Sequence, residues 1–278
     1  MTNKLDTLFR LDNKVIVITG AVGLLGKKHA DAIASYGGIP ILLDLSSTAV
    51  EDLADELGRK YDVKVIPQSV DICKESQVKE SAERLMKKFG RIDGLINNAA
   101  NNPKVEDINE KKFSRLENFP LETWEKDIEV GLTGAYLCAK HYGNKIAQNV
   151  NGGSIVNISS DLGLISPDQR LYRKDDISED LQNVKPVSYS VVKSGLIGLT
   201  RYLATYWPEN NVRCNAICPG GVENEQSDKF IEEVSQRIPM GRLARVDEYQ
   251  GVLLWMLSDA SSYLNGAIIP VDGGRTAW

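Results

Sequence analysis

Tyr189 and Lys193 stand four positions apart in Tyr189-Ser190-Val191-Val192-Lys193, so they share one face of a predicted helix. A phenol with an ordinary pKa of about 10 is a poor proton carrier at neutral pH. An ammonium one turn away favours phenolate and should lower that pKa, which would make Tyr189 an acid–base group. Ser160 follows a predicted strand at Ser154–Ser159, and its hydroxyl could hydrogen-bond a substrate carbonyl as that oxygen gains charge. A Tyr–Lys pair at this spacing also occurs on inert surface helices. These three residues therefore need support from the rest of the chain.

That support begins near the N-terminus. Thr19-Gly20-Ala21-Val22-Gly23-Leu24-Leu25-Gly26 joins the first predicted strand to the first predicted helix. Glycines there let the backbone approach a pyrophosphate, and the helix N-terminus attracts its charge. A tight turn without any ligand would look similar, but the position directly after the first strand favours dinucleotide binding. The second predicted strand ends at Asp44-Leu45. A carboxylate there can accept both hydroxyls of an adenosine ribose and would repel a 2′-phosphate. No Lys or Arg stands at 21–25 or 45–48 to neutralise such a phosphate, so the expected cofactor is NAD rather than NADP. Asp71-Ile72 follows the third predicted strand, where a carboxylate can meet an adenine amino group. Asn97-Asn98-Ala99-Ala100 follows the fourth, where small residues allow backbone to pack beside a ribose and nicotinamide.

The elements that must position these residues alternate along the chain. Predicted strands are Lys14–Thr19, Ile39–Leu43, Val63–Pro67, Ile92–Asn97, Ser154–Ser159, Val212–Ile217 and Ala267–Val271. Predicted helices reach to about Tyr36, from Ser46/Ser47 to Lys60, and over Lys74–Phe89, Leu121–Gln148, Pro186–Trp207, Asp228–Gln236 and Val246–Ser258. This order predicts an α/β doubly wound Rossmann fold, a seven-stranded parallel sheet with helices on both faces. The expected organisation is an N-terminal tail at 1–10 and one NAD-binding domain at 11–278. Ligand should sit beyond the carboxyl ends of the strands.

Composition excludes several classes. The chain has 278 residues, 42% hydrophobic and 26% charged, which suits a folded globular protein rather than a disordered or coiled-coil one. A net charge of −5 argues against nucleic acid as the main partner. Four cysteines and two histidines lie at no metal-ligand spacing, so no metal site is expected. No run reaches the roughly 20 apolar residues of a membrane span. No targeting segment is read at the N-terminus, and the expected location is cytoplasmic.

Together these motifs resemble the short-chain dehydrogenase/reductase family, over about residues 11–278. The resemblance rests on the TGAVGLLG turn, Asp44, NNAA, GSIVNISSDLG (Gly153–Gly163), YSVVK, NAICPGGV (Asn215–Val222), GRLARVDE (Gly241–Glu248) and LNGAIIPVDGG (Leu264–Gly274). It implies Tyr189 as acid/base, Ser160 orienting substrate, and Lys193 serving both a ribose and Tyr189. It also implies that Pro219, Gly220 and Val222 meet the nicotinamide. Three positions depart from the family pattern. Gly23 comes one place early, with Leu24 where a glycine is usual. Gly131 replaces an Asn that holds a relay water behind the lysine. Asn224 replaces a threonine that touches the cofactor amide.

Two loops look longer than the family pattern, at about 101–120 and 166–185. The second separates Ser160 from Tyr189 by 29 positions and must bulge over the reacting end. Its Arg170, Arg173, Lys174 and Lys185 face Asp168, Asp175, Asp176, Glu179 and Asp180, which suits a small polar substrate or a set of internal ion pairs. The KPVSYS approach to Tyr189 and the DGGRTAW ending resemble members associated with bacterial surface-sugar or flagellin modification. The expected activity is NAD-dependent hydride transfer at a secondary alcohol or ketone of a sugar or sugar derivative. The alternatives are a 3-oxoacyl-thioester reductase and a catalytically weak nucleotide-binding scaffold. The resemblance implies a homodimer or homotetramer.

Overall fold

The computed structural model describes residues 4–101, 114–174 and 177–278. A helical turn, α1 (Lys4–Leu8), lies within the predicted tail. Seven strands form one sheet: β1 (Val15–Thr19), β2 (Ile39–Asp44), β3 (Ile66–Ser69), β4 (Gly94–Asn97), β5 (Gly153–Ile158), β6 (Val212–Pro219) and β7 (Ile268–Val271). Their order is β3-β2-β1-β4-β5-β6-β7, and every pairing is parallel. The expected doubly wound sheet is therefore present. The strand order reverses between β1 and β4, which opens a crevice at their carboxyl ends.

Both faces of the sheet are covered, so the strands read as near-continuous apolar runs. Ile16, Ile18 and Leu42 point to one face, against α2 (Leu24–Ser35), α3 (Ser47–Tyr61) and α10 (Gln250–Leu257). Val15, Val17, Ile41 and Leu43 point to the other, against α4 (Glu75–Phe89), α6 (Gly134–Cys138) and α7 (Asn144–Ile146), with α5 (Leu121–Ile128) leading into that segment. The long α8 (Val187–Ala204) packs on β6 on that second face. α9 (Asp228–Ser235) stands apart from the sheet, in a small cluster of Leu171, Val234, Ile238 and Leu243.

Several boundaries differ from expectation. β3 begins at Ile66, not Val63, because the left-handed Asp62 that ends α3 must turn the chain before Ile66 can pair with Ile41. The helix expected over Leu121–Gln148 is interrupted by two π-helical stretches, Glu129–Thr133 and Ala139–Gly143. Each contains a glycine at a close approach: a Cβ at Gly131 would lie 2.5 Å from Val192 Cγ1, and one at Gly143 would lie 2.7 Å from Trp207. The last helix starts at Gln250 rather than Val246, since Glu248 is used in a turn that accepts from Arg245 N and Arg242.

Candidate active site

A cavity of about 1400 Å³ lies at the carboxyl ends of the strands. At one end is the glycine turn. Gly20 adopts φ +63°, and a Cβ there would sit 2.9 Å from Ala99 Cα, so this position accepts only glycine without strain. Thr19 Oγ1 accepts from Asn98 N and Ala99 N, both at 3.0 Å, which ties the end of β4 to the end of β1. The Asn98 amide donates to Thr19 O (2.9 Å) and Gly20 O (3.0 Å) and braces the turn. Gly23 is the N-cap of α2 and supplies no side-chain cap. Leu24 and Leu25 in the first turn of that helix line the cavity.

Asp44, Leu45, Asp71, Ile72, Ala99 and Ala100 continue the same wall. Asp44 is not the cap of α3; Ser46 is, accepting from Ala49 N. Instead Asp44 Oδ2 accepts from Val22 N (3.1 Å) and Oδ1 from Leu45 N (2.8 Å), so the carboxylate is held at the cavity edge. Asp71 accepts from Cys73 N at 3.0 Å. One expected contact residue is misplaced. Gly26 is buried beneath the turn and does not line the cavity; a Cβ there would lie 2.1 Å from Gly20 O, so its role is helix–turn packing. The bare Gly20 backbone, uncapped helix start and held carboxylate together suit a dinucleotide.

The other end gathers Ser160, Tyr189 and Lys193, with Pro219, Gly220, Val222 and Asn224 along the rim. Ser160 lies two residues past β5, and its Oγ accepts from Leu162 N at 3.1 Å. Ser159 Oγ donates to Lys193 O at 2.7 Å, which pins α8 against β5. Lys193 is 5% exposed and its Nζ donates to Ile158 O at 2.8 Å. It sits 5.7 Å from the centre of the Tyr189 ring. Burial pulls the Lys193 pKa down to about 8, with a further push from Lys185.

The expected lowering of the Tyr189 pKa does not arise from the chain's own groups. Burial raises it, and nearby Asp161 adds to the rise, against a smaller lowering by the Ser160 hydroxyl.

Three further charged residues stand around Ser160 and Tyr189. Lys185 Nζ lies 3.9 Å from the centre of the Tyr189 ring, and burial pulls its pKa to about 8. Asp161 is 3% exposed and its Oδ1 accepts from Ser160 Oγ at 2.8 Å. Arg275 reaches Asp161 from the C-terminal segment, with Nη1 3.2 Å from Oδ2. Asp161 follows Ser160 directly and could have been noticed from adjacency. Arg275 could not, since nothing local pairs residues so far apart in sequence.

Of the two long loops, 102–113 lies outside the described residues, as do 175 and 176. The second loop is largely internally paired: Arg170 binds Asp168 and Arg173 binds Glu179. Asp168 also accepts from Arg237 at 2.7 Å, and the Tyr172 ring lies 5.9 Å from Phe230, which joins the loop to α9 over the reacting end. Cys73, Cys138, Cys214 and Cys218 are free. Among the described residues no group of three or more His, Cys, Asp or Glu could hold a metal, and no helix is long and apolar enough to cross a membrane.

Comparison with known proteins agrees with this geometry. The short chain dehydrogenase pattern matches residues 14–172, and the Enoyl-(Acyl carrier protein) reductase pattern matches residues 178–276. The chain belongs to the short-chain dehydrogenase/reductase family. It is therefore an oxidoreductase acting on CH–OH groups with a nicotinamide nucleotide as cofactor. It is 31% identical over 269 residues to the 3-oxoacyl-[acyl-carrier-protein] reductase FabG of Aquifex aeolicus, covering 95% of this chain and 98% of that one. It is 32% identical over 282 residues to an NADP-dependent mannitol dehydrogenase of Hypocrea jecorina, covering 99% and 96%. The structure of an NAD+-bound xylitol dehydrogenase superimposes with a TM-score of 0.81 at 25% identity, covering 95% and 99%.

Proposed function

We propose that this protein is an NAD-dependent dehydrogenase of a secondary hydroxyl on a sugar or sugar derivative. The observation that carries the reading is one cavity holding the Gly20–Asp44 cradle at one end and Ser160, Tyr189 and Lys193 at the other. Gly20, Gly23, Leu24, Leu25, Asp44 and Asn98–Ala100 would hold the nucleotide, with Asp44 selecting a free 2′-hydroxyl. A nicotinamide nucleotide held there would supply the hydride acceptor for oxidation and the hydride donor for reduction.

The chain's own residues handle the oxygen and its proton. In oxidation Tyr189, as phenolate, takes the proton of the substrate hydroxyl, and in reduction its phenol returns it. Ser160 orients the substrate oxygen. Lys193, anchored on Ile158 O, lies against the ring and is within the same wall as the nucleotide ribose would be. Relatives named for mannitol and xylitol support a polyol-type substrate. The KPVSYS and DGGRTAW segments support a role among enzymes of bacterial surface sugars.

The same reading makes the chain a cytoplasmic enzyme with one NAD-binding domain at 11–278. Exposed Tyr202 on α8 and Tyr206 just past its end support a homodimer or homotetramer, to be checked by elution volume against a 30.7 kDa monomer. The FabG-type relative supports a second reading, reduction of a 3-oxoacyl thioester. Asp44 and the charged wall of Arg173, Lys174, Lys185 and Arg275 weigh against it.

A screen of NAD+ and NADP+ reduction over free, phosphorylated and nucleotide-linked sugars and alditols, beside NAD(P)H oxidation by acyl thioesters, separates the two. Turnover confined to acyl thioesters would overturn the sugar reading. Tyr189→Phe should lose about 100-fold or more in turnover while NADH binding persists; retained turnover would remove Tyr189 from the chemistry.

A further inference from the structure

Of the eight residues of α5, Asp127 alone is buried, at 6% exposure. A buried carboxylate is a costly way to fill space unless donors complete its oxygens. Here both oxygens are used. Oδ1 accepts from the Asn101 side-chain amide at 2.7 Å, and Oδ2 accepts from Ser188 Oγ, which is itself fully buried. The two donors belong to two different parts of the candidate site. Asn101 directly follows Ala100 of the cavity wall, and Ser188 directly precedes Tyr189 on α8.

The first turn of α8 needs such an anchor. Its N-cap is Pro186, which supplies no side-chain cap, and no acidic residue of its own stands in that turn. An uncapped helix start leaves backbone donors without partners and frays readily. Tyr189 lies within this turn, so any fraying would move the phenol. The Asp127 carboxylate, borrowed from α5, holds Ser188 there and puts a negative charge at the positive end of the helix. The approach to the turn is pinned by other side chains: Val184 N donates to Ser114 Oγ (3.1 Å) and Lys185 N to Gln169 Oε1 (2.8 Å).

We infer that Asp127 is a positioning residue for the reaction: it fixes the first turn of α8, and with it the Tyr189 phenol, against the 98–101 segment where the nicotinamide nucleotide would lie. The inference rests on the reading of Tyr189 as the acid/base. Asp127 does not touch the reacting atoms. It acts through Ser188 on one side and Asn101 on the other, and an apolar residue in its place would fill the same volume with neither link. Proton transfer is sensitive to such placement, since a shift of about 1 Å can cost about 100-fold in rate.

The test uses the full-length chain with two probes, NAD+ with xylitol and NADH with acetoacetyl-coenzyme A. The variants are Asp127→Ala, Asp127→Asn and Ser188→Ala, with rates counted per NADH-binding site so that unfolded protein does not enter. Asp127→Ala should lower kcat by about 10- to 100-fold, with NADH binding and KM for the nucleotide within about 2-fold of wild type. Asp127→Asn still offers an oxygen to Asn101 and an amide to the Ser188 oxygen, so it should recover much of the loss. Ser188→Ala should lower kcat in the same direction, and adding it to Asp127→Ala should cost little more, because both cut one link. Amide exchange over 187–190 in the NADH complex should quicken in Asp127→Ala while that of the sheet holds.

A lower melting temperature with unchanged kcat per site would make Asp127 a brace of the fold only and overturn the inference. So would an equal fall in nucleotide binding and kcat, or additive losses in the double variant. Where neither probe turns over, the exchange over 187–190 decides, and no change there overturns the anchor. Retained turnover in Tyr189→Phe would overturn the acid–base reading itself, whereas full activity of Asp127→Ala beside an inactive Tyr189→Phe overturns only the role of Asp127.

Discussion

Lys185 places its ammonium 3.9 Å from the centre of the Tyr189 ring, closer than Lys193 at 5.7 Å. The phenol proposed to carry the proton therefore has a cation from the long loop as well as one from its own helix. Burial and Asp161 drive the phenol pKa up, and a cation over the ring opposes that rise.

Lys185→Met should shift the acid limb of NAD+-linked alcohol oxidation to higher pH. A cation over an aromatic face contributes about 0.5–2 kcal/mol, or about 0.4–1.5 pH units. The pH profile of kcat reads this. A uniform fall in rate with no shift of the limb would count against Lys185 acting on the phenol.

Gly131 in the π-helical stretch packs tightly against Val192 of α8. An Asn at 131 would drive its Cβ to 2.5 Å from Val192 Cγ1. Gly131→Asn should destabilise by about 1–3 kcal/mol, as overpacked cores do. Adding Val192→Ala should recover much of that loss in thermal melts. Full stability of Gly131→Asn alone would show that α8 gives way easily.

Asp44 decides cofactor preference if its carboxylate meets the ribose. Asp44→Ser should raise KM for NAD+ and improve NADP+ relative to NAD+ by about 10-fold or more, since it removes a repelling charge worth about 1.4 kcal/mol per tenfold change. Initial rates with each cofactor measure this. An unchanged ratio would mean selection lies elsewhere in the turn.

His29 is fully buried on α2, with no hydrogen-bond partner among the described residues at either ring nitrogen, and burial lowers its pKa to about 4. The unfolded chain takes up this proton near pH 6.5 and the folded chain only near 4. The associated stability is present above pH 6.5 and lost as pH falls through that window, by about 3 kcal/mol in all. His29→Leu should flatten that fall in urea melts between pH 6.5 and 4. The same slope in wild type and variant would place the acid sensitivity in other groups.

Much of the frame was legible before any coordinates. The β-branched runs and their spacing were enough for a seven-stranded parallel sheet, because strands buried on both faces cannot hide their apolar character. The glycine turn and the Tyr–Lys pair were legible because their geometry is local: one turn of backbone, one turn of helix. The misreadings were also physical. Gly26 looks like part of the phosphate cradle, yet 2.1 Å to Gly20 O makes it a packing residue. Val63 looks like strand, but the left-handed Asp62 delays pairing to Ile66.

Local order along the chain was sufficient for the sheet, the crevice at its reversal, and the choice of Ser160, Tyr189 and Lys193 as candidates. The charges around the phenol were a matter of folding. The sign of the Tyr189 shift depends on burial, which no spacing reports. The Lys185 contact depends on how the long loop returns, and the Asp161–Arg275 pair on a turn that carries the chain end back across the sheet. Such contacts join residues far apart in sequence, and only the packed fold brings them within a few ångströms.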